Sequence, residues 1–214
     1  ARRAMVDSLE FHTAARVLPE VGPRVQEELL TRGSDPERSA DLLEKMPPDA
    51  AADVLGELRE EDAQALLGRM QPEDARVVKT LMRHEEDTAG GLMTTDLVTF
   101  TGEMTIADAF RRLREIAPDI EFLYQFYVVD GRGRLLGTLN MRRLFLGDET
   151  DLLRDAMAPW SIRVQPEDSA SYVAEVIEKY NQAAVPVVDA DGVLVGMITV
   201  DDVLNSDMIA WPFR

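Results

Sequence analysis

A unit that occurs twice in the second half of the chain constrains its fold more than any other feature. Phe126-Tyr127-Val128-Val129-Asp130, a Gly-bearing turn and Arg134-Leu135-Leu136-Gly137-Thr138-Leu139 are echoed by Val185-Pro186-Val187-Val188-Asp189, a second turn and Val193-Leu194-Val195-Gly196-Met197-Ile198. The interval from each Asp to its later Gly is the same. An amphipathic helix precedes each strand-turn-strand unit. Before the first, Thr105 and Asp108 suit a helix N-terminus, with Ile106, Ala109, Phe110 and Leu113 on one face; before the second, Asp168 or Ser169 is the cap, with Val173, Val176, Ile177 and Tyr180 on the face. Both faces are expected to be core. The pattern therefore predicts two copies of one small α/β module that pack together, with function in the cleft between them. Extra residues around Pro118-Asp119-Ile120-Glu121 make the first copy longer.

The first half carries a shorter period. Leu42-Leu43-Glu44-Lys45-Met46-Pro47-Pro48-Asp49-Ala50, Val54-Leu55-Gly56-Glu57-Leu58-Arg59-Glu60-Glu61-Asp62-Ala63 and Leu66-Leu67-Gly68-Arg69-Met70-Gln71-Pro72-Glu73-Asp74-Ala75 recur every 12 residues. Each opens with an aliphatic pair, adds a third apolar residue, then sets Pro or acidic residues ahead of Ala. Pro at a first helical position and acids in a first turn mark helix starts, which predicts short helices stacked as a superhelix. One long helix is disfavoured, because Pro47, Pro48 and Pro72 would each cost about 3 kcal/mol inside it. Residues 1–33 read as more helix of this kind, broken at Pro19, Gly22, Pro23 and Gly33. The helical pattern gives way near Thr88-Ala89-Gly90-Gly91.

Composition narrows the chemistry. At 214 residues and 45% hydrophobic the chain can bury a substantial core. It has 40 acidic against 23 basic residues, a net charge of −17, which disfavours nucleic acid and anionic lipid and favours cations. Without cysteine there is no disulfide framework and no thiolate metal site, as suits the cytoplasm. No apolar run nears the roughly 20 residues that cross a bilayer, and Ala1 opens no signal-peptide pattern, so any membrane portion is expected outside these residues. His12 and His84 are far apart in sequence and read as surface residues; Met46, Met70, Met82 and Met93 read as core fillers. No phosphate loop, serine elbow or zinc spacing is present, and no enzyme is expected.

Gly196-Met197-Ile198-Thr199-Val200-Asp201-Asp202 runs from a strand into a helix start. Thr199 stands at the N-cap, where its hydroxyl and neighbouring N–H groups can face an anion, and Asp202 in the first turn can accept from ribose hydroxyls. Thr199 as a plain cap, with Asp202 as its dipole partner, explains the same residues. The run resembles the ligand signature of cystathionine-β-synthase (CBS) domains, in which a Gly, a Thr or Ser and an Asp hold an adenine nucleotide. The two copies, about Met93 to Leu204, resemble one CBS pair. In the first copy Gly137-Thr138-Leu139-Asn140-Met141-Arg142-Arg143 departs, with Asn140 in place of Thr and Arg143 in place of Asp.

The resemblance continues upstream. Glu85-Glu86-Asp87-Thr88-Ala89-Gly90-Gly91-Leu92-Met93-Thr94, after acidic helical repeats and before a CBS pair, resembles the cytosolic part of MgtE-type magnesium transporters. It implies a non-catalytic sensor: an α+β chain of two domains, an all-α superhelix (1–88) and a tandem pair of α/β CBS modules (89–155 and 156–207), then a tail (208–214). It implies a homodimer through the CBS pair that closes when magnesium neutralises facing carboxylates, at the cytosolic face of a membrane whose pore lies outside these residues. Gly196, Thr199 and Asp202 are the nucleotide residues it implies, for ATP, ADP or AMP. Asp202, Asp201, Asp62 and Asp74 are the magnesium residues.

Physics supports a cation independently: Asp49, Asp53, Glu61, Asp62, Glu73 and Asp74 recur at helix starts, and magnesium bridges hard oxygen donors through retained waters. Capping alone also accounts for any one of these acids. The family pattern is not followed throughout, since Asn181 and Asn205 stand where it has acids, and its acidic connecting helix is replaced by Val203-Leu204-Asn205-Ser206-Asp207-Met208-Ile209-Ala210-Trp211-Pro212-Phe213-Arg214. Of the CBS-side acids, Asp202 carries over best. The apolar residues of this segment predict a helix packed on the CBS pair or across a dimer, ended or kinked by Pro212. Such packing fits the alternative of a soluble stand-alone homologue that binds a nucleotide or a protein partner; an accessory domain of an enzyme is the other competitor.

Overall fold

The computed structural model describes residues 11–31, 35–116, 125–159 and 162–205, in two compact units that divide between Glu85 and Glu86. The expectations for residues 1–10, Gly33, Pro118 to Glu121, Met208 to Arg214 and the side chains of His12 and Asn205 lie outside the described residues.

The first unit holds helices α1 (Phe11–Val17), α2 (Pro23–Leu30), α3 (Pro36–Glu44), α4 (Pro48–Gly56), α5 (Glu60–Leu67) and α6 (Pro72–Leu81). The last four start at residues 36, 48, 60 and 72, so the 12-residue period is the helix-to-helix spacing and extends one repeat upstream. Proline opens α2, α3, α4 and α6, where its fixed φ suits a helix and its missing N–H would have had no intrahelical partner. α5 starts instead on Glu60, Glu61 and Asp62, whose charges oppose the positive end of the helix dipole.

Helices pack on the next but one, α1 on α3, α3 on α5 and α4 on α6. Two columns of buried residues recur with the same period. Ser39, Ala51, Ala63 and Ala75 fill one, small enough to bring the helices close, and Leu43, Leu55 and Leu67 fill the other. Each of these leucines is 1–2% exposed and contributes roughly 1.5–3 kcal/mol by burial. Ser39 is the polar exception in its column; its hydroxyl donates to the Leu30 carbonyl at 3.0 Å, so no buried donor is left unpaired. Met46 and Met70 are core, as expected, whereas Met82 is only half-buried because the array ends there.

The second unit holds α7 (Ala89–Leu92), β1 (Thr99–Thr101), α8 (Ile106–Ile116), β2 (Gln125–Val129), β3 (Leu135–Asn140), α9 (Met141–Leu146), α10 (Leu153–Ala156), β4 (Ala158–Pro159), α11 (Ala170–Tyr180), β5 (Ala184–Val188), β6 (Leu194–Thr199) and α12 (Val200–Asn205). β1 runs parallel to β2, β2 antiparallel to β3, and β3 antiparallel to β4. The second copy repeats this order: Val164 bridges Val187 of β5 in parallel, β5 pairs antiparallel with β6, and Thr94 bridges Met197 of β6.

The copies are not contiguous in the chain. Met93 and Thr94, ahead of the first copy, edge the sheet of the second, and Ala158–Pro159, ahead of the second, edges the first. Two glycines admit these borrowed edges. A Cβ on Gly137 would lie 2.6 Å from the Ala158 carbonyl oxygen and 2.6 Å from Met157 Sδ, and one on Gly196 2.8 Å from Met93 Sδ and 2.9 Å from the Thr94 carbonyl oxygen. Asp87 and Thr88 also join this unit, since Ala170 N–H donates to the Asp87 carbonyl at 2.8 Å and Ala89 N–H to that of Asp168 at 2.7 Å.

The two hairpin turns match. Asp130 Oδ1 accepts the Arg132 and Arg134 N–H groups at 2.8 and 2.9 Å, and Asp189 Oδ1 accepts those of Asp191 and Val193, both at 2.9 Å. Gly133 and Gly192 take φ of 79° and 81°, which only glycine adopts without strain. The tips then bind each other: Leu135 N–H donates to the Gly192 carbonyl and Leu194 N–H to that of Gly133, both at 3.0 Å. Beneath them Tyr127, Leu135, Ala184, Val188 and Met197 form a core shared by both copies.

The helix faces are mostly as expected. Ile106, Ala109 and Leu113 are buried with Phe110 packed against them, and Ser169, not Asp168, caps α11 by accepting from Tyr172 N–H. Tyr180 is a correction: it is 45% exposed, and Ala170 and Ala174 complete the buried face of α11 instead. Tyr180 is the last helical residue before Asn181, whose left-handed φ of 49° ends the helix.

Candidate functional site

Strand β6 delivers Thr199 to the start of α12, and the four residues Thr199 to Asp202 close a capping box. Asp202 Oδ2 accepts the Thr199 N–H and hydroxyl, both at 2.7 Å, while Asp202 N–H donates to Thr199 Oγ1 at 3.3 Å. Thr199 is only 4% exposed. Thr105 and Asp108 form the same three bonds at the start of α8, at 3.0, 2.8 and 3.1 Å. There the Thr105 N–H, then its hydroxyl, hold the Asp108 carboxyl below the ordinary carboxylate range. The Thr-x-x-Asp spacing is thus a helix-start device first, wherever it occurs.

Beside Thr199 there is a cavity. It measures about 140 Å³ and is lined by Gln125, Ala183, Ala184, Met197, Thr199, Val200 and Asp201. Of the sequence-predicted residues, Thr199 and Asp201 line it, whereas Gly196 and Asp202 do not. Gly196 has a packing reason of its own, the Met93 side chain and Thr94 carbonyl that occupy the space above it. The volume is under the roughly 300 Å³ of pockets that enclose a whole drug-sized ligand, so it suits one ring system with the remainder outside.

Gln125 was not legible as a site residue. It pairs with Asn140 across β2 and β3, as Ala184 pairs with Thr199 across β5 and β6. A polar residue where the other copy has alanine was the available signal. Its Nε2 donates to Tyr127 Oη at 3.3 Å and to the Ala184 carbonyl at 3.4 Å. Tyr127 is wholly buried, and that burial pushes its phenol above the ordinary value, so it stays neutral.

At the matching place in the first copy, Asn140 caps α9 by accepting from Arg143 N–H at 2.9 Å, and the Arg143 guanidinium donates to the Ala156 carbonyl at 3.0 Å. The cap is kept and the carboxylate is gone.

The predicted metal residues divide between the units. In the first, Asp74 is exposed in the opening turn of α6, and Asp62 is held by Arg59, 2.9 Å from Nε and 2.6 Å from Nη2. In the second, Asp201 is exposed and Asp202 is engaged in its capping box. All four supply hard carboxylate oxygens, the donor type magnesium takes, and Asp62 would have to exchange its arginine. Among the described residues no three His, Asp or Glu side chains gather as a metal site.

Comparison with known proteins gives the family context. Residues 1–87 match the MgtE intracellular N domain, and residues 89–146 and 153–208 match the CBS domain. The magnesium transporter MgtE of Thermus thermophilus is 43% identical over 128 residues, 60% of this chain and 28% of the relative, so the chain spans under a third of that relative's length. A crystal structure of the cytosolic domain of the Mg2+ channel MgtE in complex with ATP aligns with TM-score 0.88 and 38% identity over 95% of this chain and 83% of that one. The soluble part of a magnesium transporter aligns with TM-score 0.89 and 31% identity over 95% and 80%. Among the described residues no helix is long and apolar enough to cross a membrane.

Proposed function

The chain belongs to the MgtE family, matching its intracellular N domain and CBS pair, and on that premise we propose that it is the magnesium-sensing regulatory region of a magnesium transporter, on the cytoplasmic side of the membrane. The observation that carries this is the placing of carboxylates at helix starts in both units, Asp62 and Asp74 in the first and Asp201 and Asp202 in the second. At a net charge of −17 the chain attracts cations, and a divalent cation bound by these carboxylates favours a closed state. The chain works as a homodimer through its CBS pair and passes closure to a pore outside these residues. An adenine nucleotide is the second ligand, seated in the cavity beside Thr199, with Asp202 turning from its cap toward the ribose. The relative solved with ATP supports this choice.

A cation that binds only the closed form stabilises it by linkage. Millimolar magnesium should raise the melting temperature and reduce the radius from small-angle scattering more than sodium chloride at equal ionic strength, which screens without bridging. Equal effects of the two salts would remove magnesium-driven closure. Combined Asp74→Asn and Asp201→Asn should abolish the excess effect of magnesium.

A further inference from the structure

Resting on the nucleotide reading above, we infer that Gln125, supplied by the first copy, is the residue that selects the base in the cavity of the second, accepting a hydrogen bond from an exocyclic amino group. Three observations combine. Gln125 is half-buried and lines a cavity together with Ala183, Ala184, Met197, Thr199, Val200 and Asp201. The orientation of its amide is fixed: Nε2 meets the Ala184 carbonyl at 3.4 Å, and a carbonyl oxygen only accepts, so the amide nitrogen must lie on that side. The same nitrogen meets the Tyr127 hydroxyl at 3.3 Å, and that hydroxyl lies 3.6 Å from Met197 Sδ, to which its proton points.

Both amide hydrogens are therefore used, and Oε1 is the atom left for a ligand. A fixed acceptor in an otherwise apolar wall distinguishes ring systems by one group. A 6-amino purine donates to it, whereas a 6-keto purine sets a second acceptor against it and can donate only from N1, one atom away in the ring, a mismatch that a site built around the exocyclic group rejects. Asp201 and Thr199, at the helix start, are the lining residues left for the sugar and phosphates.

Isothermal titration of the intact chain with AMP and with IMP, which are reversed in hydrogen-bonding sense at the 6-substituent and at the adjoining N1, tests the assignment. AMP should bind at least about tenfold tighter than IMP. Gln125→Met, close in shape but without acceptor or donor, should bring the ratio near one while leaving the chain folded by its melting curve. Tyr127→Phe removes one of the two anchors on Nε2, lets the amide turn, and should narrow the ratio by admitting IMP. Equal binding of the two nucleotides by the intact chain, or a ratio unchanged in Gln125→Met, overturns the role of Gln125 while the nucleotide reading stands. If neither nucleotide binds the intact chain, the nucleotide reading itself falls and takes this inference with it.

Discussion

The two hairpin copies share a turn, a borrowed edge and a glycine beneath it, yet they part at the helix that follows. After β6 the chain places Thr199 and Asp202; after β3 it places Asn140 and Arg143. Both pairs cap their helix, since Thr199 and Asn140 each accept an N–H three residues on. The fold thus needs only a capping oxygen there. A carboxylate three residues later closes the box in one copy, accepting the Thr199 N–H and hydroxyl, and is absent from the other, where the cap stands without it. The same box forms at Thr105 among the core-packing residues of α8, so the motif by itself marks a helix start.

The largest test of the equivalence between the copies is steric. Alanine at Gly137 or at Gly196 drives a Cβ into backbone and a methionine, so each substitution should destabilise the second unit by about 1–3 kcal/mol in urea unfolding. Gly137→Ala should cost more, since the Ala158 carbonyl oxygen lies at 2.6 Å against 2.9 Å for that of Thr94. Tolerance at either glycine would mean that the borrowed edges are held differently.

A smaller effect should separate structure from binding. Thr105→Ala and Thr199→Ala each remove a capping hydroxyl and should lower stability by about 1 kcal/mol in thermal or urea unfolding. Only Thr199→Ala should also weaken AMP in calorimetry. Loss of AMP binding in Thr105→Ala would break the distinction drawn from the cavity.

The smallest effect concerns acid. The Thr105 N–H and hydroxyl hold Asp108 below the ordinary carboxylate range, and the N–H groups of Arg134 and Arg132 do so for Asp130. A carboxyl lowered on folding contributes stability above its unfolded pKa, and that contribution is lost as pH falls through the folded value. The first copy should therefore weaken on the acid side of the ordinary carboxylate range, and Asp108→Asn with Asp130→Asn should flatten that limb. Carbon-detected titration of both carboxyl groups checks the direction.

Local signals were legible in the sequence and long-range ones were not. Proline at helix starts and the recurring aliphatic pairs disclosed the helical array, because both are properties of a single turn or a single helix face. The hairpins were legible from the Asp and Gly of their turns. The exchange of edges was invisible, since Met93-Thr94 and Ala158-Pro159 are too short to show a strand period and their partners lie far along the chain. The site followed the same division. Thr199 and Asp201 lie in a contiguous run and do line the cavity, whereas Gln125 reaches it only through the packing of one copy on the other. Gly196 has a packing reason, the Met93 side chain above it, that the sequence around it does not show.

The exchanged edges also set an order of events during synthesis. Thr94 leaves the ribosome early, but its partner Met197 is made about a hundred residues later, which at roughly 5–20 residues per second is a delay of about 5–20 s. Throughout that interval the nascent chain carries a strand whose sheet does not yet exist. The first copy waits too, though less, for Ala158 and Pro159. The helical array, complete by Leu81, has no such debt and can finish while the remainder is still being translated.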